Sequence, residues 1–168
     1  MASHPLSELD LDLLELYLND HLTGATAGRA RVRHMVQAYA DLPIHEALCR
    51  LADELEEEHR RLRTVITDLG LAVKRYRQIP AEIGERLGRL KLNNRLLGRS
   101  PMSPFLEIEL LRGAVNAKSG LWETLHDLSP ALGLDAAEWQ TLAGQAQDQD
   151  TLLRSLHAQL RTQTFARQ

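Results

Sequence analysis

Lys118 interrupts an apolar helical stripe made of Ile108, Leu111, Val115, Trp122 and Leu125. Glu58 interrupts a second stripe, Leu48, Leu51, Leu55, Leu62, Val65 and Leu69. Taking an unpaired ion out of water is costly, so charges at such positions need partners. An ammonium and a carboxylate on two apolar faces are expected to pair, with His21, His59 and Gln149 completing a charged internal layer. A second chemistry competes for the same residues. Glu56-x-x-His59 sets a carboxylate and an imidazole one helical turn apart, and His21 with Glu56 or Glu58 and His59 is a donor set for one metal ion. Each reading has a plainer counterpart. The Lys118 stem would cover apolar surface while its ammonium reaches solvent, and Glu56 and His59 would lie on a solvated helix margin.

Other reactive chemistry has little support. The chain has no Gly-rich loop between a strand and a helix, no phosphate-binding Walker pattern, and no Ser or Cys beside an evident His base. Cys49, the sole cysteine, falls in an apolar turn and reads as core filler; it excludes an internal disulfide and fits a reducing compartment. With 168 residues the chain suits one domain, and a net charge of -3 gives no global pull toward nucleic acid or anionic membrane. The opening MASHPLSELDLDLL lacks the basic region of a signal peptide. No stretch approaches the ~18 apolar residues of a membrane helix, so a cytoplasmic protein without membrane contact is expected.

Four long segments must position these groups. Three- and four-residue spacing predicts helices over about 7–40, 43–69, 103–128 and 135–165, all in one domain, 1–168. In the first, the inward stripe is Leu11, Leu14, Leu18, His21, Ala25, Gly28, Val32, Met35 and Tyr39; in the last it is Trp139, Leu142, Ala146, Gln149, Leu153, Leu156 and Leu160. Pro43 suits a first turn and Gly70 a left-handed stop. Ser103-Pro104 opens the third helix and Ser129-Pro130 closes it, while Asp135 with Glu138 resembles a capping box. Short links make the first and second helices antiparallel, and likewise the third and fourth. The long stretch 70–102 is expected to cross over along the bundle, with a short helix from Pro80.

The crossover is basic. Lys74, Arg75, Arg77, Arg86, Arg89, Lys91, Arg95 and Arg99 face only Glu82 and Glu85. Arg86, Arg89, Lys91, Arg95 and Arg99 are candidates for an anion-binding surface, against which intramolecular charge pairing weighs more, and nucleic acid is not the expected partner. Gly24, Ala25, Ala27 and Gly28, and Gly113, Ala114, Ala117 and Gly120, suggest close helix approach. Leucines 9, 11, 13, 14, 16 and 18 surround the start of the first helix on every side. One bundle face cannot bury them all, which points to a homodimer or higher homo-oligomer.

Two antiparallel hairpins joined by a crossover make an all-α arrangement that resembles the ferritin-like superfamily over essentially the whole chain. It is also similar to a group of bacterial proteins with LYLNDHL, KLNNRLLGRSPMS and GLWETL segments. That resemblance implies a four-helix bundle with two irons or manganeses held by inward carboxylates and two Glu-x-x-His pairs. The fourth helix departs from this, because it has no Glu-x-x-His; the second copy, Glu123-x-x-His126, lies on the third. At the counted depth of His59 stands Lys118, whose charge would repel a cation. The expectation is therefore a non-catalytic ferritin-like oligomer without cofactor, acting as a structural or interaction protein. Its alternatives are an iron- or manganese-binding oxidoreductase or store, and a binder of anionic partners.

Overall fold

The computed structural model describes residues 9–74 and 100–166, and every regular element among them is an α-helix. These are α1 (Leu11–Ala38), α2 (His45–Asp68), α3 (Met102–Leu132) and α4 (Ala136–Phe165). Ser7, where the first helix was expected to begin, lies outside the described residues. The helix starts instead after Asp10, whose carboxylate accepts from the Leu13 amide at 3.0 Å and so satisfies a donor the helix leaves free. The link to α2 is six residues, 39–44, longer than expected, and Pro43 sits in it rather than in the helix. Gly70 has φ +72°, which supplies the left-handed residue after α2.

The end of α3 corrects the sequence reading most clearly. Pro130 does not stop the helix but lies inside its last turns, where it removes only one amide donor. The stop is Gly133 at φ +67°, where the amides of Gly133 and Leu134 both donate to the Ser129 carbonyl. The reward for continuing is burial of Leu132. Asp135 caps α4 through the Ala137 amide at 3.0 Å, but Glu138 does not complete a capping box. Its carboxylate is taken by Arg61 of α2 instead, which donates from Nη2 at 2.8 Å.

Pairs along the helices give their directions. From α1 to α2, Thr26 meets His59 and Arg29 meets Glu56, so the two are antiparallel. From α3 to α4, Glu109 meets His157 and His126 meets Ala136, again antiparallel. Tyr17 meets Thr124 and Arg31 meets Glu107, so α3 is also antiparallel to α1. Helices α2 and α3 therefore point the same way. The chain between them, 75–99, with the expected short helix from Pro80 and the anion-binding candidates Arg86, Arg89, Lys91, Arg95 and Arg99, lies outside the described residues.

The core is built from Leu18, Val32, Met35, Ile44, Leu48, Leu51, Leu62, Ile66, Ile108 and Leu153, with Trp122 and Trp139 stacked at 5.9 Å. Burial of these side chains is the main favourable term holding the helices together. Leu14, Leu18, Val32, Met35 and Tyr39 of the expected α1 stripe are buried, but the middle of the helix departs from it. Asn19 and Leu22 are buried, while His21, Ala25 and Gly28 are only half-buried and Leu11 is exposed. In α4, Ala143 replaces Leu142 on the inner face. No described helix is long and apolar enough to cross a membrane.

Candidate functional site

Lys118 projects from the middle of α3 into the space between α2 and α4. Its ammonium donates to Glu58 Oε2 and to Gln149 Oε1. The Gln149 amide then donates to Glu58 Oε1 at 2.9 Å and to Glu54 Oε2 at 2.8 Å. Lys118, Glu58 and Gln149 thus close a ring in which every contact joins a donor to an acceptor. Glu54, which sequence reasoning missed, extends it one turn along α2. The Lys118 side chain is 12% exposed and that of Glu58 3%, so this is an ion pair inside the bundle. Burial pulls the Lys118 ammonium below its ordinary range, and Glu58 and Glu54 act against that. Breaking such a pair from one side is far more damaging than never having it.

His21 and His59, the other expected members of this layer, are not in the ring. His21 lies edge-on to the Tyr17 ring at 4.6 Å, and burial lowers its pKa. The Nε2 of His59 is 3.0 Å from the Thr26 hydroxyl on α1. Burial lowers its pKa as well, reinforced by Arg29, Arg63 and Arg33 and opposed by Glu56.

The donors suggested for a metal do not converge. Glu56 is held by Arg29 at 2.7 Å and by Arg33, both from α1, while Glu58 is committed to Lys118 and Gln149. In the second Glu-x-x-His, Glu123 accepts from Ser119 at 3.0 Å and His126 Nδ1 donates to the Ala136 carbonyl at 3.0 Å. Among the described residues no group of three or more His, Cys, Asp or Glu side chains is placed to hold a metal ion. Cationic side chains stand where ligands would have to face an ion. Among the described residues, His21, Glu56, Glu58 and His59 are not brought together as one donor set for iron or manganese.

Several polar groups escaped the sequence reading. Glu107 is buried and pairs with Arg31 at 3.2 Å, yet Glu107 Oε2 and Arg31 Nε are buried without hydrogen-bond partners. Burial raises the Glu107 pKa, against Arg31 first and then Tyr39 and His34. Asn19 is fully buried and grips the chain that leaves α2. Its amide donates to the Glu15 and Ala72 carbonyls at 2.8 and 2.9 Å, and its oxygen accepts from the Lys74 amide at 2.7 Å. His157 lies 2.9 Å from Glu109, accepts from Arg161 at 3.2 Å and stacks on Phe105 at 4.2 Å. Cys49 does stand beside an imidazole, contrary to expectation: its Sγ is 3.6 Å from His45 Nε2. The four-residue spacing of His45 and Cys49 was the signal, since residues one turn apart share a face.

The surface brings two further outcomes. A methyl group added at Gly24, Gly28, Gly113 or Gly120 would meet nothing within 4 Å among the described residues, so packing among those residues does not explain these glycines. At the start of α1, Leu14 and Leu18 are buried but Leu11, Leu13 and Leu16 are 42%, 63% and 44% exposed. Beside them opens an apolar groove of about 290 Å³ lined by Leu9, Leu13, Leu14, Tyr17, Thr124 and Leu128 among others. No protein-family model, curated protein or solved structure matches the chain.

Proposed function

We propose that this chain is a non-catalytic ferritin-like bundle that works as a homo-oligomeric structural or interaction protein, with an internal ion pair in place of a metal centre. The observation that carries this reading is the Lys118 ammonium held between Glu58 and Gln149. In a ferritin-like bundle, inward carboxylates balance bound cations; here one covalently attached cation does so without leaving an open coordination position. The parallel directions of α2 and α3 support the same reading. They put the end of α2 and the start of α3 at opposite ends of the bundle, the placement a crossover would need.

Assembly would use the first turns of α1, where exposed Leu11, Leu13 and Leu16 flank the apolar groove. An exposed leucine beside an apolar hollow on one patch is suited to a two-fold contact, in which each copy fills the other. Light scattering coupled to size separation tests this. The parent protein is expected to run as a dimer or larger assembly, and Leu13→Asp with Leu16→Asp to run as a monomer of 18.9 kDa with the helix content unchanged. A monomeric parent protein, or an assembly indifferent to both changes, would refute it.

A further inference from the structure

A second charged cluster lies across α1 and α2, separate from the Lys118 ring. Among the described residues Glu56 is the carboxylate of this cluster, and it is shared between Arg29 Nη1 at 2.7 Å and Arg33 Nη2. Arg63, one turn beyond His59 on α2, is exposed and forms no ion pair among the described residues, yet it acts on the His59 ring together with Arg29 and Arg33. Three guanidinium groups therefore answer to one carboxylate. The positive charge left over would balance a dianion.

Hydrogen bonding fixes how His59 could join in. The Thr26 hydroxyl spends its proton on the Leu22 carbonyl at 2.8 Å, so at 3.0 Å it accepts from His59 Nε2. The neutral ring is then protonated on Nε2, and Nδ1 is left without a partner among the described residues. A second proton on Nδ1 would turn that atom into a further donor beside the arginines.

We propose that this seam binds a tetrahedral oxyanion of the phosphate class, free or as a small phosphomonoester, through Arg33, Arg63 and His59 on the exposed side of the Glu56 carboxylate. Guanidinium groups suit this ligand because each presents paired N–H donors to two oxygens. Binding draws a proton onto His59, since the anion offsets both the burial and the three positive neighbours that keep the ring neutral. Glu56 is the one acidic group facing the ring from either helix, and it opposes the ligand without cancelling the arginines.

The test uses the full chain at low ionic strength, with the His59 ring followed by NMR while inorganic phosphate, glycerol phosphate or acetate is added. Saturable binding of both phosphate compounds is expected, with acetate at least about tenfold weaker and the His59 pKa moved upward. Repeating the titration with sulfate, which stays dianionic, should show tighter binding as pH falls from about 7.5 to about 6, through the imidazole range. Arg63→Gln should weaken phosphate binding about tenfold without changing the melting temperature, because Arg63 has no described ion pair to lose. A non-saturating response that follows ionic strength, acetate as good as phosphate, or an Arg63→Gln protein that binds like the parent would each overturn the proposal.

Discussion

Lys118 and Glu58 form a pair whose members need each other more than the fold needs the pair. Lys118→Met leaves a carboxylate that is only 3% exposed without its counter-ion, and should cost about 3–5 kcal/mol in denaturant unfolding. Lys118→Met combined with Glu58→Gln should recover much of that loss; two single changes that are both nearly neutral would mean that the pair is solvated. This pair was legible because a charge inside an otherwise apolar stripe is informative. Glu107 was not, because a carboxylate near the start of a helix is equally well explained by the helix dipole. Asn19 stayed hidden for a different reason: it sits between Leu18 and Asp20, off the expected stripe, and its partners Ala72 and Lys74 are distant in sequence. Asn19→Ala removes three hydrogen bonds made by a fully buried side chain, and should cost about 1–3 kcal/mol and speed hydrogen exchange at the Lys74 amide. Unchanged exchange there would show that Asn19 does not hold this chain.

Whole elements follow from residue patterns less directly, because a one-residue slip rotates a helix face by about 100°. In the middle of α1 the buried positions are Asn19 and Leu22, and His21 packs against Tyr17 instead of joining the ring. The end of α3 falls beyond Pro130 because burial of Leu132 and the left-handed Gly133, and not the proline, decide the stop. The α1–α2 hairpin also carries a pH dependence. His21 and His59 both have pKa values lowered by burial, so between the folded and unfolded values the unfolded chain binds more protons. Stability is then level above about pH 7 and falls as pH drops through the unfolded imidazole value of about 6.5. The acids held low by ion pairs, Glu15, Glu138 and Asp150, keep their contributions until pH falls into the ordinary carboxylate range and lose them on further acidification, which separates the two effects. Melting temperatures at pH 7.5 and 5.5 should therefore differ, and His21→Gln with His59→Gln should flatten the difference. An equal drop in the double variant would exclude these imidazoles as the cause.

At the scale of the molecule, the helix directions emerge from loop lengths and are consistent with a bundle that no single helix specifies. The short links gave two antiparallel hairpins, while the relation between the hairpins came from contacts such as Tyr17 with Thr124 that no local pattern announces. The site followed the same division. That a charged layer exists was readable from four stripes, but which groups close it depended on helix phase and on Gln149 turning its oxygen to Lys118 and its amide to Glu54 and Glu58. The bundle therefore holds, between α2, α3 and α4, a positive charge that belongs to the chain itself. Metal content of the protein purified without chelator tests this most directly. Iron and manganese well below one ion per chain, and a melting temperature unmoved by chelator or by added metal, are the predicted result. One or two tightly held ions per chain, lost on Glu58→Ala or His59→Ala, would contradict it.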